Sequence, residues 1–285
     1  MDPTRHFPEA FRERSRRYQR ERRAVLLVTL GMGWVFWLAF GVLGCAAGLR
    51  DRLLELSGGH LEVAAAAAGG AYCLLFAAVL GPMAFLSAQV HPRVWGLPRE
   101  GSWAWLQQGL GRLVLAAVLA ACAGVWIVRR PELAWLWLAY VLAVAGIWAF
   151  RGRWRLAALW VPFSLGLGWV GLGLLRHAAL RGLWGITGVE DPAAWPLVAV
   201  VLSLVALPAI PLFLAVSRRA VLAGDAVLLR REGAAPFVAS RVREAERALL
   251  DVDPPAWVAR WLSPAPPVGK RIALAEAWAS RKELP

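Results

Sequence analysis

AVLLVTLGMGWVFWLAFGVLGCAAG, residues Ala24–Gly48, contains no Asp, Glu, Lys or Arg, and it follows directly on the run Arg20-Glu21-Arg22-Arg23. A bilayer's hydrocarbon core is about 30 Å thick, which roughly 20 helical residues cross. The stretch is therefore read as a membrane span. It is too long for a signal peptide and lacks a small-residue cleavage site. Working outward, Val63–Val90 is a second run of the same kind. Leu113–Val128 is shorter and can borrow Trp103–Leu110. Leu133–Phe150, Leu156–Leu175 and Ala193–Val216 complete the set. The expected fold is an all-α polytopic membrane bundle of about six transmembrane helices. A basic N-terminal helix precedes it (1–23), and a short cytoplasmic helical tail follows (217–285).

Composition agrees. The chain is 59% hydrophobic with mean hydropathy +0.53, yet its net charge is +13. Both hold only if charge and apolar residues are segregated along the sequence. Trp135, Trp137, Trp148, Trp154, Trp160, Trp184 and Trp195 fall near span ends, where amphipathic indoles anchor at the interface. With six spans, both termini share a side with the loops at Arg93–Arg112 and Arg151–Arg155, and that side carries 26 of the 32 basic residues. The positive-inside rule then places both ends in the cytoplasm. The Arg-, Ala- and Gly-rich usage suggests a bacterial chain, hence the inner membrane.

Few residues are equipped for chemistry. Cys45, Cys73 and Cys122 lie in apolar runs with no CxxC spacing, and they read as small packing residues. His6, His60, His91 and His177 are scattered, and none begins an HExxH helix. Neither a Walker loop nor a GxSxG elbow occurs. Spans nearly free of ionisable groups argue against a pump or channel. Glu9–Arg23 carries 7 Arg against 3 Glu. It is expected to lie on anionic lipid headgroups, at about 1 kcal/mol per basic residue near the surface. Nothing points to nucleic acid. Val238, Val242, Ala245 and Leu249, spaced by 4, 3 and 4, predict an amphipathic helix that packs on the bundle or a partner.

The tail carries the most specific pattern: Ser217-Arg218-Arg219 with Val221 and Asp225, then Asp253-Pro254-Pro255-Ala256-Trp257-Val258, then Ala265-Pro266-Pro267 with Arg271-Ile272. This resembles the C-terminal part of membrane zinc metallopeptidases of the CAAX prenyl protease and HtpX type, with their SRxxExxAD, DxxPPxWV and HPPxxxRI segments. Gly96-Leu97-Pro98 through Trp103-Ala104-Trp105-Leu106 resembles the family's GLSxQSxxSWL loop, and Arg129-Arg130-Pro131 its next hairpin. Ala149-Phe150-Arg151-Gly152-Arg153-Trp154 stands where the family has HELGHW.

The resemblance implies a zinc site, and transfer residue by residue removes it. Val221 replaces the third zinc ligand, and Ala149 and Arg153 replace the two histidines. Phe150 replaces the Glu base, and Ala265 the substrate-facing His. The catalytic segment before HExxH is missing as well. Catalytic zinc needs three protein ligands, a water and a base, so neither an intact catalytic site nor a zinc cofactor is expected. Asp225, whose counterpart would orient a zinc-bound His, is expected to pair with Arg219 or Arg153. Arg271 is expected to be a tail-docking or lipid-facing charge. The implied role is a catalytically inactive pseudopeptidase that binds or scaffolds a membrane or lipidated protein. Two alternatives stand: a metalloendopeptidase with a non-standard or subunit-supplied metal site, and a small transporter using Ser87, Ser164 and Ser203 beside the helix-breaking Pro82, Pro162, Pro208 and Pro211.

Overall fold

The computed structural model describes residues 3–129, 161–166, 169, 173, 177, 182–188 and 191–282. Among the described residues the regular structure is entirely helical. The main helices are α1 (Glu9–Val42), α2 (Cys45–Leu56), α3 (Leu61–Phe85), α4 (His91–Val94), α5 (Ser102–Arg129), α6 (Trp195–Ala206), α7 (Ile210–Glu232), α8 (Ala234–Ala248), α9 (Ala256–Trp261) and α10 (Val268–Lys282).

Three helical stretches, Glu9–Val42, Leu61–Val94 and Ser102–Trp126, are long and apolar enough to cross a membrane, with mean hydropathies of 2.1, 2.1 and 1.8. Only 11, 28 and 6% of their most apolar windows are buried in protein. Side chains such as Leu27, Val35, Leu74, Val114, Leu115 and Leu119 face outward. Apolar surface on that scale is what helices able to cross a bilayer present. The proposed spans Leu133–Phe150 and Leu156–Leu175 lie wholly or largely outside the described residues.

Helix ends depart from the expected spans for identifiable reasons. The first span stops at Val42, because Gly44 takes φ 74°, a left-handed conformation that cannot propagate a right-handed helix. Cys45 therefore opens α2 and is exposed, not embedded in the first span, and Cys122 is exposed too. The Ala193–Val216 run is two helices. A 3-10 turn at Leu207–Ala209 separates α6 from α7, because Pro208 and Pro211 lack the N–H a continuous helix needs. Within the second span Pro82 sits inside α3, and a π turn at Leu86–Val90 follows. In contrast, Trp103–Leu110 and Leu113–Val128 do form one helix, α5.

The chain divides into two compact units. The apolar unit comprises Leu26–Val90 and Arg99–Leu207. Its tightest crossing is α3 on α5. Glycines carry it: a Cβ on Gly69 would lie 2.6 Å from the Ala120 carbonyl oxygen, and one on Gly124 would lie 2.6 Å from that of Ala65. Small residues let membrane helices approach to backbone contact. Arg129 at the end of α5 pairs with Glu62 at the start of α3 (2.7 Å), so the two helices are antiparallel. Trp37 stacks on Phe76, the buried Tyr72 hydroxyl donates to the Pro192 carbonyl, and Trp34 donates to Ser203.

The terminal unit comprises Met1–Val25, His91–Pro98 and Pro208–Pro285. Its core is Phe7, Ala245, Val252, Val268 and Ile272, extended by Leu229, Phe237 and Ala275. The amphipathic helix read from Val238, Val242 and Ala245 is α8. It buries its apolar face against α10 and the N-terminal segment. Leu249 lies beyond the helix, with φ 45°, as its left-handed cap.

Candidate functional site

The site begins with the pitch of α7. Val221 and Asp225 stand four residues apart, one turn, on the same face. Val221 is half-buried and Asp225 is buried. Opposite Asp225 stands Arg271, in the first turn of α10, also buried. Arg271 Nε donates to Asp225 Oδ2 and its Nη2 donates to Oδ1, both at 2.7 Å. This is a two-pronged pair, the strongest geometry open to a guanidinium and a carboxylate. Burial alone would lower the Arg271 pKa, but the hydrogen bond and charge of Asp225, with Glu244 behind them, raise it instead. Glu244 Oε2 lies 3.7 Å from Arg271 Nη1, and Arg241 pairs with the same oxygen while lying over the Phe237 ring. Arg271 takes the place beside Asp225 expected for Arg219, and it docks the tail helix rather than facing lipid; Arg153 lies outside the described residues. Alpha-helical neighbours of Asp225 could be read from spacing, but a contact across 46 residues could not.

Arg218, four residues before Leu222 on the same helix, ties the middle motif to the first. Its Nη1 donates to the carbonyls of Ala259 (2.8 Å), Arg260 (3.3 Å) and Ser263 (2.9 Å). Those oxygens lie at or just beyond the end of α9, where helix carbonyls lack N–H partners and a cation is favoured. The Gly269 N–H donates to the Val252 carbonyl, which fixes the loop carrying Ala265, Pro266 and Pro267 against the segment before Asp253. All three tail segments therefore converge on α7.

The N-terminus closes the unit. Arg5 donates to Glu276 Oε1 (2.6 Å), and His6 Nε2 lies 2.7 Å from the same oxygen. Burial would raise the Glu276 pKa, but these two partners lower it below the ordinary carboxylate value. Gln19 donates to the Leu249 carbonyl. Tyr18 stacks on His91, while Glu21 accepts from Trp95 and lies within ion-pair distance of His91. Nothing in the sequence pattern signalled these long-range contacts.

The zinc implied by the resemblance can be tested on the residues present. Val221 and Ala265 offer no donor atom, and each Asp225 oxygen accepts a hydrogen bond from Arg271. Ala149, Phe150 and Arg153 lie outside the described residues. Among the described residues no three of His, Cys, Asp or Glu gather as a metal would require. The described part of the site does not fit zinc.

No family model, curated protein or solved structure matches the chain. A second polar cluster, in the apolar unit, is self-satisfied. Asp191 accepts from Arg50, from Thr187 N and Oγ1, and from Ala193 N. It pins α2 to the turn before α6.

Proposed function

We propose that the chain is a membrane pseudopeptidase related to the CAAX prenyl protease and HtpX type, without peptidase chemistry, which holds a membrane or lipidated protein as scaffold or regulator. The observation that carries this reading is the Asp225–Arg271 pair. It joins the two tail segments that the resemblance brings to a metal site, and it uses the carboxylate as a structural tie. Val221 beside it brings no ligand atom, which supports a fastening role for that junction over a metal-binding one.

The membrane arrangement proposed with it is six spans in a bacterial inner membrane, with both termini cytoplasmic. The residues before Ala24 and the tail after Val216 belong to one compact unit, linked by Arg5 and His6 to Glu276. This supports placing both on one side of the bilayer and, with it, an even number of crossings. The basic excess on that side supports the cytoplasmic assignment.

Two measurements test the reading on the full-length protein. Elemental analysis after zinc-supplemented purification is expected to find far less than one zinc per chain. A fluorescent farnesylated peptide is expected to bind more tightly than its unmodified twin and to remain uncleaved. Stoichiometric zinc, or chelator-sensitive cleavage, would overturn the proposal, as would equal affinity for the two peptides.

A further inference from the structure

The terminal unit contains a cleft of about 950 Å³ that the tail motifs do not explain. One wall is α1, presenting Arg16, Arg20 and Arg23 with Glu13 and Glu21 among them; the other presents Asp251, Asp253 and Lys270 between proline-rich loops. The arginines recur at i, i+4 and i+7, so they form one stripe about 10 Å long. Arg17 is committed to Glu21. Arg16, Arg20, Arg23 and Lys270 make no ion pair or side-chain hydrogen bond among the described residues. Like charges a turn apart repel, and guanidinium rows of this kind suit a phosphate.

Asp251 supplies the opposite requirement. Its Oδ1 is buried with no hydrogen-bond donor, although the side chain lines the cleft. Its resolved hydrogen bond comes from the Asp253 backbone. A buried oxygen of this kind calls for a donor, and a phosphate alone brings none.

Depth selects the source. Arg23 is followed immediately by Ala24, where the apolar run begins, and Arg20 stands about 6 Å further along the axis. That is the depth of one headgroup layer outside the hydrocarbon. We propose that this cleft binds the headgroup of an aminophospholipid, with the phosphate on Arg16, Arg20 and Arg23 and the primary ammonium donating to Asp251. A trimethylammonium headgroup has no N–H to give, and a glycerol headgroup no positive charge. The inference rests on α1 crossing a membrane and is independent of the pseudopeptidase reading.

The test is lipid retention by the full-length protein in native mass spectrometry, with dioleoyl phosphatidylethanolamine, phosphatidylcholine and phosphatidylglycerol offered separately. Soluble glycerophosphoethanolamine and inorganic phosphate form two further arms. Phosphatidylethanolamine is expected to bind about tenfold more tightly than phosphatidylcholine, as one charge-assisted hydrogen bond implies. Asp251→Asn should bring that ratio close to one. Asp251 makes no direct ion pair, only longer-range attraction to Arg16 and Arg23, and Asn keeps its shape, so this variant is expected to fold. Replacing Arg16, Arg20 and Arg23 by Gln should weaken all three lipids. A wild-type ratio near one overturns the proposal, as does a preference that survives Asp251→Asn. Soluble glycerophosphoethanolamine binding as tightly as the lipid overturns the lipid source. Topology reporters on the same protein separate these failures from a failure of α1 to span.

Discussion

Removing Arg271 is the sharpest perturbation of the tail. Arg271→Met keeps the length of the side chain and strips both donors from Asp225, which is 6% exposed and has no other ion-pair partner among the described residues. Leaving one member of a buried pair unpaired costs about 3–5 kcal/mol. Asp225→Leu should cost less, about 2–3 kcal/mol, because Glu244 still stands 3.7 Å from Arg271 and is itself 43% exposed. The double variant replaces a desolvated pair by apolar groups of similar size and should fall within about 1 kcal/mol of the parent. The resulting coupling, about 3 kcal/mol or more, far exceeds what independent sites show. Hydrogen exchange of the detergent-solubilised protein, read over α7 and α10, gives the opening free energy of each variant. Additive single effects, with a coupling below about 0.5 kcal/mol, would refute the view that this pair ties the two segments together.

Gly69→Ala and Gly124→Ala should each destabilise the α3–α5 crossing by about 1–3 kcal/mol through backbone collision. Gly70→Ala, with open space around its Cβ, should be close to neutral, and thermal melts of the three variants check this. A reporter fused after Glu276 should read as cytoplasmic and one inserted near Ser57 as external; the same side for both would break the span count. Acid should release the N-terminal segment. Because the folded pKa of Glu276 is depressed, its link to Arg5 and His6 is fully present above about pH 4.3 and lost as pH falls through the folded value. Exchange of residues 5–12 between pH 6 and 3 measures the release, and Glu276→Gln should flatten the profile.

The apolar runs determined by themselves where helices could enter a bilayer, because a span is a local property of length and polarity. Ala24 as the start of the first run and the fusion of Trp103–Leu110 with Leu113–Val128 were readable for that reason. The stripe Arg16, Arg20, Arg23 was equally readable, since helical spacing is local. Helix interruption was only half visible. Pro208 and Pro211 carried the signal for a break inside the run read as the single span Ala193–Val216, but the left-handed turn at Gly44 is one choice among many open to a glycine. Only the tertiary structure decided which charges meet. Asp225 chose Arg271 over its sequence neighbour Arg219, and Glu276 chose Arg5 and His6 from the far end of the chain. Partners 46 and about 270 residues apart are brought together by burial of the Phe7, Val268 and Ile272 core, and no local pattern encodes that packing.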